Sequence, residues 1–287
     1  MPLLDPARLK SVLGPVAGRF AVTALAECDS TSSELMRRAD AGAVSGSVVV
    51  ADCQTAGRGR RGRTWLSAPA SSLTFSLLWR FNLLPGQLAG LSLAVGVALA
   101  RGLERLGARG VRLKWPNDIL LETDGEYAKL AGILVELVTD RQGAQAIIGI
   151  GLNLQPPAEA LPQPAAGLAQ AMLQLAERHG VLAAILQELA VVLDAFAVDG
   201  FSGVKTDWQK RHAWQDCAVC LLGDGGVTLE GVCAGVDDDG ALLLETGGGI
   251  RRIISGDVSL RPVPPGGLLR GAGDGASGSS TLGVRRA

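Results

Sequence analysis

The sequence predicts an α/β (α+β) fold in two parts, a large mixed domain followed by a small β-barrel. Through residues 1–212, β-branched runs typical of strands alternate with Ala- and Leu-rich runs typical of helices. From Trp214 onwards the pattern changes to short strands separated by Gly and Asp turns, which is typical of a small barrel. A chain of 287 residues is long enough to bury a sizeable core in this arrangement.

The large domain, residues 1–212, is predicted to mix helices and strands along its length. The helix at residues 30–41 starts with Ser30 or Thr31 as its cap, with Glu34 near the capping-box position. The helix at 181–199 has an amphipathic pattern. Helices are expected at 7–14, 30–41, 85–106, 181–199 and 204–212, and strands at 19–27, 47–53, 73–79, 111–115, 118–121, 131–137 and 144–150.

The C-terminal module is assigned to residues 213–262. Its strands are expected at 217–222, 227–236, 241–245, 250–255 and 258–261. Residues 263–287 are rich in Gly, Ser and Pro and poor in apolar side chains, so they are predicted to form a disordered tail.

Composition and charge exclude several classes of protein. Lys and Arg total 27 against 28 Asp and Glu, so the chain lacks the positive charge of a bulk nucleic-acid binder. An aromatic content of 4% argues against a base-stacking platform. The longest apolar stretch, residues 88–100, is too short for a bilayer and predicts a buried helix. The N-terminus shows no signal-peptide pattern, so we expect a cytoplasmic protein.

The cysteines of a cytosolic chain are expected to be free thiols. Cys217 and Cys220 form a CxxC, and with His212 and Cys233 nearby a zinc site is an alternative. Because positions i and i+3 of a strand face opposite sides, core thiols are the favoured interpretation.

The segment 57–65 (GRGRRGRTW) interleaves arginines with glycines and cannot be part of a core. Glycines let the backbone approach a ligand closely, and guanidinium groups bind phosphate or carboxylate through two hydrogen bonds. A solvated basic loop or a nucleic-acid patch is the alternative. The segment is not a P-loop, because GxxxxGK[ST] is absent from the chain.

Lysine is scarce, and two lysines lie in distinctive segments. Lys114 opens KWPND, which places a cation and two oxygen-bearing side chains at one strand–turn edge, although Asn and Asp also favour turns for backbone reasons. Lys129 opens the strand-like segment KLAGILVE. A buried ammonium needs a partner such as a ligand carboxylate, unless its side chain extends to solvent.

Two further segments are consistent with a ligand site but weak alone. In GIGLNL (149–154) the two glycines permit close approach of a ligand or a neighbouring backbone. In DSTSS (29–33) hydroxyls and free N–H groups lie at a helix N-terminus, where they can donate to a polar ligand. Taken alone, the second segment is better explained by helix capping.

Taken together and in this order, the segments DST, QxAGRGRRGRxW, KWPND, KLAGILVE and GxGxN resemble the biotin protein ligases. The resemblance covers about residues 20–262, and the C-terminal module, ending in GDVSLR (256–261), is similar to the SH3-like domain of that family. It implies a mixed-sheet biotin/lipoate-ligase catalytic domain, distantly like class II aminoacyl-tRNA synthetases, followed by an SH3-like barrel. A ligase-only form without a DNA-binding domain is implied, with no DNA or membrane partner, as a monomer or a homodimer.

The resemblance implies a two-step reaction and a set of site residues. Biotin and ATP, with Mg²⁺, give biotinoyl-5′-adenylate, and biotin then passes to a lysine of a biotin carboxyl carrier protein or domain. Biotin contacts are implied for Ser30, Thr31, Ser32, Gln54, Arg58, Gly59, Arg60 and Lys129. ATP contacts are implied for Arg60, Arg63, Trp65, Lys114, Asn117, Asn153 and Arg261, with Mg²⁺ held through the phosphates and not by a cage of side chains.

Catalytic roles are implied for Lys129, Arg60, Lys114 and Asp118. Lys129 meets the biotin carboxylate, Arg60 orders a loop over the adenylate, and Asp118 assists deprotonation of the incoming lysine. Ser32 departs from the Asn of the family pattern, so a contact through its backbone alone is expected. The alternatives are a lipoate or octanoate ligase and a non-catalytic biotin-binding module. The GRGRRGRxW and KWPND segments argue against the first, and the paired lysines argue against the second.

Overall fold

The computed structural model describes residues 3–140, 143–159, 161, 163–223, 226–254 and 259–263. The predicted tail after residue 263 and residues 256–258 of the C-terminal motif lie outside the described residues.

A seven-stranded sheet forms the framework of the large domain. Its strands are β1 (Ala21–Cys28), β2 (Ser47–Gln54), β3 (Ser72–Phe81), β4 (Val111–Lys114), β5 (Asp118–Thr123), β6 (Glu126–Asp140) and β7 (Gly143–Asn153). They are arranged in the order β1-β2-β3-β7-β6-β5-β4. The β1–β2 pair is parallel and the other neighbouring pairs are antiparallel, so the sheet is mixed, as predicted.

Helices cover the two faces of this sheet unequally. They are α1 (Pro6–Leu13), α2 (Thr31–Asp40), α3 (Leu91–Arg105), α4 (Arg178–Asp199) and α5 (Ser202–Arg211). On one face Leu35 of the short helix α2 packs with Val49, Leu78 and Ile147. The larger core lies on the opposite face, where α3 and α4 pack against each other and the sheet. The α2 face is therefore covered only in part.

The C-terminal module is an antiparallel sheet that docks at the β4–β5 corner. Its strands are β8 (Ala218–Gly223), β9 (Gly226–Val236), β10 (Leu242–Thr246), β11 (Gly249–Ile253) and β12 (Ser259–Pro262), in the order β11-β10-β9-β8-β12. The buried indole of Trp115 donates to the carbonyl oxygen of Gly240 at 3.1 Å. The amide of Ala213 donates to the carbonyl of Leu113 at 2.9 Å. These bonds join the two modules beside the KWPND segment.

The predicted continuous helix over residues 85–106 is wrong. A 3₁₀ turn occupies Pro85–Leu88, and α3 begins only at Leu91. Between them Gly90 has φ 77°, and a Cβ built on it would lie 2.7 Å from Cβ of Phe201. Glycine suits this turn because its φ lies in the left-handed region and because Phe201 occupies the space that a side chain would need.

The predicted amphipathic character of helix α4 holds only for its second half. Residues 181–186 are all buried, since α1 and α3 both pack against this part of the helix. A helix covered on every side has no polar stripe. Val191 and Asp194, further along, lie on the exposed side.

Two helical stretches within the described residues have the length and apolar composition of a membrane crossing, Pro85–Arg105 and Arg178–Asp199. Most of each stretch is buried inside the protein, 67% and 61% of the most apolar window respectively. Their contacts with each other and with the sheet are those of core helices. The predicted burial of residues 88–100 is thus observed for most of that segment.

The five cysteines are all free thiols. Cys217 is exposed while Cys220 and Cys233 are buried. His212 is also buried, and its Nδ1 lies 3.7 Å from Sγ of Cys233. In the part of the chain that the structure describes, no group of three or more His, Cys, Asp or Glu side chains is placed to hold a metal ion, so the zinc alternative gains no support.

Candidate active site

A cavity of about 660 Å³ opens on the partly covered face of the large sheet, beyond the N-terminus of α2. Its walls come from the loop between β2 and β3, the β4–β5 corner, strands β6, β7 and β12, and residues near 157–165. The lining includes every residue for which the resemblance implied a contact: Ser30, Thr31, Ser32, Gln54, Arg58, Gly59, Arg60, Arg63, Trp65, Lys114, Asn117, Asp118, Lys129, Asn153 and Arg261. Segments far apart in sequence therefore converge on one space.

The floor of the cavity is formed by three glycines on adjacent strands. Gly132 of β6 pairs with Gly151 of β7. A Cβ on Gly151 would lie 2.2 Å from the Trp65 ring, and a Cβ on Gly149 would lie 2.5 Å from Oγ of Ser32. Because these side chains need that space, glycine is required at both positions of the GxG segment. The groups that approach these glycines closely are the side chains of Trp65 and Ser32, where a ligand or a neighbouring backbone was expected.

Buried hydroxyl groups line the end of the cavity next to α2. Gln54 Oε1 accepts hydrogen bonds from the amide of Thr31 at 2.8 Å and from its Oγ1 at 3.2 Å. Oγ of Ser76 in β3 lies 2.8 Å from Thr31 Oγ1 and 3.0 Å from Ser32 Oγ. Ser30 occupies the N-cap position but its side chain makes no capping bond. The N-terminal amide of α2 is thus satisfied by Gln54 from β2.

Ser76 is absent from the predicted site. It is fully buried in β3, where it is flanked by Phe75 and Leu77. Buried hydroxyls recur at every second position of β3, at Ser72, Thr74 and Ser76, and the need of each for a hydrogen-bond partner is the signal that could have drawn attention to them.

The loop between β2 and β3 is anchored at two arginines. Arg58 forms an ion pair with Glu136 of β6 and donates to Oγ of Ser33 at 3.2 Å. Arg60 donates to Oδ1 of Asn117 in the KWPND segment at 3.2 Å. The loop therefore spans the cavity from α2 to the β4–β5 corner.

The backbone of this loop closes on itself. The amide of Gly59 donates to the carbonyl of Arg63 at 2.7 Å, and the amide of Trp65 donates to the carbonyl of Gly57 at 2.9 Å. Arg61 between them has φ 61° and ψ 37°, a left-handed conformation that is costly for a residue with a side chain. The strained turn lies at the mouth of the cavity.

Two lysines share one carboxylate at the centre of the site. Lys129 Nζ lies 2.7 Å from Oδ1 of Asp118, and Lys114 Nζ lies 3.2 Å from Oδ2. Lys114 is 5% exposed and Lys129 is more open, with a side chain 21% exposed. Lys129 Nζ also lies 5.7 Å from the centre of the Trp65 ring. Both cations line the same cavity.

Burial and charge shift the pKa values of this cluster. Burial lowers the pKa of Lys114 to about 8; the Asp118 carboxylate opposes this shift, and the cations of Arg261 and Lys129 add to it. Burial alone raises the pKa of Asp118, but the attraction of Lys129 and Lys114 outweighs it, so the pKa of this carboxyl lies below its usual value. Asp118 is therefore ionised at neutral pH, and Lys114 is poised to lose its proton just above it.

Lys129 lies inside β6, and not at the start of a strand as predicted. The pairing between β5 and β6 shifts here, with Leu120 opposite Lys129 but Ile119 opposite Ala131, so Leu130 is an extra residue in a bulge. Bulges change the direction in which neighbouring side chains point. At this one, Lys129 lines the cavity while Leu130, Ala131 and Ile133 are buried, and beyond Ile133 the strand is half-buried.

Asn153 and Arg261 close the remaining sides of the cavity. Asn153, the last residue of β7, donates through Nδ2 to the carbonyl of Ala166 at 3.0 Å. Arg261 of β12 donates to Oε1 of Gln163 at 3.3 Å, and its burial lowers the pKa of its guanidinium while Asp118 opposes the shift. Gln163 and Ser259 also line the cavity and were not predicted, because nothing in their local sequence indicates a ligand.

Comparison with known proteins assigns both modules. Residues 27–153 match the model of the Biotin/lipoate A/B protein ligase family, and residues 215–261 match the Biotin protein ligase C terminal domain. The Bifunctional ligase/repressor BirA of Escherichia coli (strain K12) is 37% identical over 257 residues, which cover 88% of this chain and 77% of that protein. The Biotin--[acetyl-CoA-carboxylase] ligase of Mycobacterium tuberculosis (strain ATCC 25618 / H37Rv) is 31% identical, over 90% of this chain and 96% of that protein.

The fold has solved counterparts. The structure of the biotin protein ligase from Aquifex aeolicus in complex with biotin and ATP superposes with a TM-score of 0.70 at 31% identity, covering 84% of this chain and 99% of that one. The fold, the cavity and the first family match define the class as the biotin/lipoate protein ligases. With the C-terminal match and the relatives' identity and coverage, the chain belongs to the biotin protein ligase family. The predicted fold class is confirmed, and the lipoate alternative is disfavoured.

Proposed function

We propose that this chain is an ATP-dependent biotin–protein ligase that acts in two steps. In the first, a carboxylate oxygen of biotin attacks the α-phosphorus of ATP, and pyrophosphate leaves. In the second, the neutral ε-amine of an acceptor lysine attacks the acyl carbon. AMP leaves, an amide forms, and the amine loses one proton.

The observation that carries this proposal is the convergence of Arg58, Arg60, Lys114 and Lys129 on one cavity. The first step brings two anions together, and their repulsion has to be offset by fixed cations. A volume of about 660 Å³ is also in the size range of pockets for small-molecule ligands. A binding module for biotin alone has no use for so many cations.

The end of the cavity next to α2 is suited to biotin. The hydroxyl of Thr31 and the side-chain amide of Gln54 offer donors and acceptors to a polar ring, and Ser32 is proposed to contribute through its backbone. Lys129 lies further along the cavity, where it can meet the carboxylate and then the developing negative charge on the acyl oxygen. The proposed biotin contacts, all of which line the cavity, are Ser30, Thr31, Ser32, Gln54, Arg58, Gly59, Arg60 and Lys129.

The opposite end is suited to the nucleotide. Lys114 and Arg261 supply positive charge for the phosphates, and the indole of Trp65 offers a flat apolar surface. The donor set contains no cluster of carboxylates free to cage a cation, because Asp118 is engaged by both lysines. ATP is therefore proposed to enter as its magnesium complex, with the ion held by phosphate oxygens. The nucleotide contacts are Arg60, Arg63, Trp65, Lys114, Asn117, Asn153 and Arg261.

Asp118 has two roles in this scheme. In the free protein its carboxylate holds both ammonium groups, and the lowered pKa makes it a weak base. Once Lys114 and Lys129 turn towards the anionic substrates, Asp118 loses those partners and becomes a better acceptor for the proton of the incoming lysine.

The acceptor is proposed to be a biotin carboxyl carrier protein or domain, in a cytoplasmic setting. The support is the name of the relatives that act as biotin--[acetyl-CoA-carboxylase] ligases. The acceptor lysine has to reach the acyl carbon beside Lys129, so its side chain must be exposed on the carrier and able to enter the cavity.

The test is to incubate the protein with labelled biotin, ATP and Mg²⁺ and to measure pyrophosphate and labelled adenylate, then to add a carrier domain. We expect both products in the first stage and a labelled carrier in the second. Labelled lipoate, run in parallel, should give little product. Labelling by lipoate alone would refute the substrate assignment, and biotin binding without pyrophosphate release would make the chain a binding module.

A further inference from the structure

We propose that Trp214, at the entry to the C-terminal module, is a positioning residue that holds the ammonium group of Lys114. Lys114 Nζ lies 5.7 Å from the centre of the Trp214 ring and 3.2 Å from Oδ2 of Asp118. Trp214 is 6% exposed and Lys114 is 5% exposed, so the contact is shielded from water. A desolvated ammonium over an indole face is the arrangement in which the cation–π attraction is strongest.

Trp214 is itself fixed by the strands that carry the two lysines. The ring of Tyr127 in β6 meets it edge-on, with centroids 6.1 Å apart and an interplanar angle of 78°. The hydroxyl of Tyr127 donates to the carbonyl of Ala213 at 3.2 Å, and the amide of Ala213 donates to the carbonyl of Leu113 in β4. Tyr127 thus contacts the indole ring directly, and the hydrogen bonds of Ala213 fix the backbone next to it.

The indole N–H does not explain why a tryptophan lies here. Nε1 of Trp214 is buried and has no hydrogen-bond partner among the described residues. Buried indoles usually donate this hydrogen, and leaving it without a partner is unfavourable. The useful property of the side chain is therefore its aromatic face, which a phenylalanine also offers.

The charges around Lys114 show what the ring contributes. Asp118 attracts the ammonium, while Lys129 and Arg261 repel it and burial disfavours its charged form. The Trp214 face favours the charged form, and Trp214 is not among the residues that line the cavity. It keeps the cation available to the ATP phosphates after Asp118 has been released. This inference rests on the proposed contact between Lys114 and ATP.

The experiment compares Trp214→Phe, which keeps an aromatic face, with Trp214→Leu, which removes it. Pyrophosphate release gives the KM for ATP and for biotin. We expect Trp214→Phe to match wild type and Trp214→Leu to raise the KM for ATP about tenfold with the KM for biotin unchanged. The alkaline decline of kcat/KM for ATP should also begin at a lower pH in Trp214→Leu than in wild type, because the ring no longer favours the charged form of Lys114. If Trp214→Leu does not fold, Trp214→Met replaces it.

The variant Lys114→Met separates failure of this inference from failure of the proposed function. We expect it to raise the KM for ATP and to abolish any further effect of Trp214→Leu in the double variant, because both act through one ammonium group. A normal KM for ATP in Lys114→Met would refute the role of Lys114 in the proposed function and this inference with it. If Lys114→Met is impaired but Trp214→Leu behaves like wild type, or the two losses are additive, the inference alone is wrong.

Discussion

Asp118 shows at the scale of a single residue how the site is kept ready for its substrates. Its carboxylate contacts Lys129 at 2.7 Å and Lys114 at 3.2 Å. The two ammonium groups are therefore held on either oxygen of one carboxylate before any ligand binds. A carboxylate from biotin or a phosphate from ATP can replace Asp118 as the partner of either lysine. The cost of assembling the cations is therefore met when the protein folds, and not when the substrates bind.

The first prediction concerns Lys129. Replacing Lys129 with Ala removes the charge nearest to the proposed acyl oxygen, so adenylate formation should fall about 10²- to 10³-fold or more. Lys210→Ala, which removes an exposed lysine of α5, is the matched control and should leave the rate unchanged. Pyrophosphate release measures the rate, and thermal unfolding checks that the fold is kept. A Lys129→Ala variant with an unaltered rate would rule out the role assigned to this lysine.

The second prediction uses the pKa of Lys114, which burial lowers to about 8. Below this pH the side chain is an ammonium that binds phosphate; as the pH rises through 8 the side chain becomes neutral and the interaction is lost. The value of kcat/KM for ATP should then decline about tenfold per pH unit on the alkaline side. Lys114→Arg stays charged at every accessible pH and should show no such limb, whatever its absolute rate. A decline that persists unchanged in Lys114→Arg would assign the titration to another group.

At the scale of elements, the loop between β2 and β3 is fixed at separate points, and it is proposed to cover the cavity. Arg58 holds the loop to Glu136, and Arg60 holds it to Asn117. Directly after these two anchors the backbone passes through the left-handed conformation of Arg61. Such a loop can retain a reactive intermediate because opening it requires these contacts to break.

The third prediction follows from this anchoring. Arg60→Gly removes the bond to Asn117, so the loop should open, release adenylate into solution and cause biotinylation of lysines on unrelated proteins. Arg61→Gly is the control, since glycine suits a φ of 61° and the anchor at Arg60 is kept. Labelled biotin, ATP and a mixture of the carrier with serum albumin provide the assay. If Arg60→Gly labels the carrier as selectively as Arg61→Gly does, the covering role is incorrect.

The residue types in a short segment were enough to predict some parts of the site. The Arg and Gly pattern of 57–65 and the few lysines marked the site, because charged groups in otherwise apolar surroundings need partners. The turn at Gly90 was not predicted, and the close approach of Phe201 that excludes a side chain there comes from a residue far along the chain. The same holds for the bulge at Leu130, which depends on how β5 pairs with β6. Contacts made only after folding leave no local pattern.

At the scale of the whole molecule, the two modules complete one site. The resemblance implied that Arg261 of the C-terminal module and Lys114 of the large domain both contact ATP, and the two residues line one cavity. Gly240 has φ 78° and lies so close to α3 that a Cβ on it would be 2.8 Å from Cα of Gly90. Its carbonyl receives the indole hydrogen of Trp115, next to Lys114 in sequence. Docking of the C-terminal module thus fixes the KWPND segment, for which nucleotide contacts are proposed.

The fourth prediction tests this docking. Trp115→Phe leaves the buried carbonyl of Gly240 without its donor, which should lower the free energy of unfolding by about 1–3 kcal/mol. Trp214→Phe makes the same chemical change at an indole whose N–H has no partner in the described structure, so its stability should be unchanged or higher. Urea denaturation of both variants gives the comparison. Equal losses of stability in the two would show that the lost ring area, and not the bond to Gly240, accounts for the effect.

Because Trp115 is adjacent to Lys114, Trp115→Phe should also raise the KM for ATP more than that for biotin.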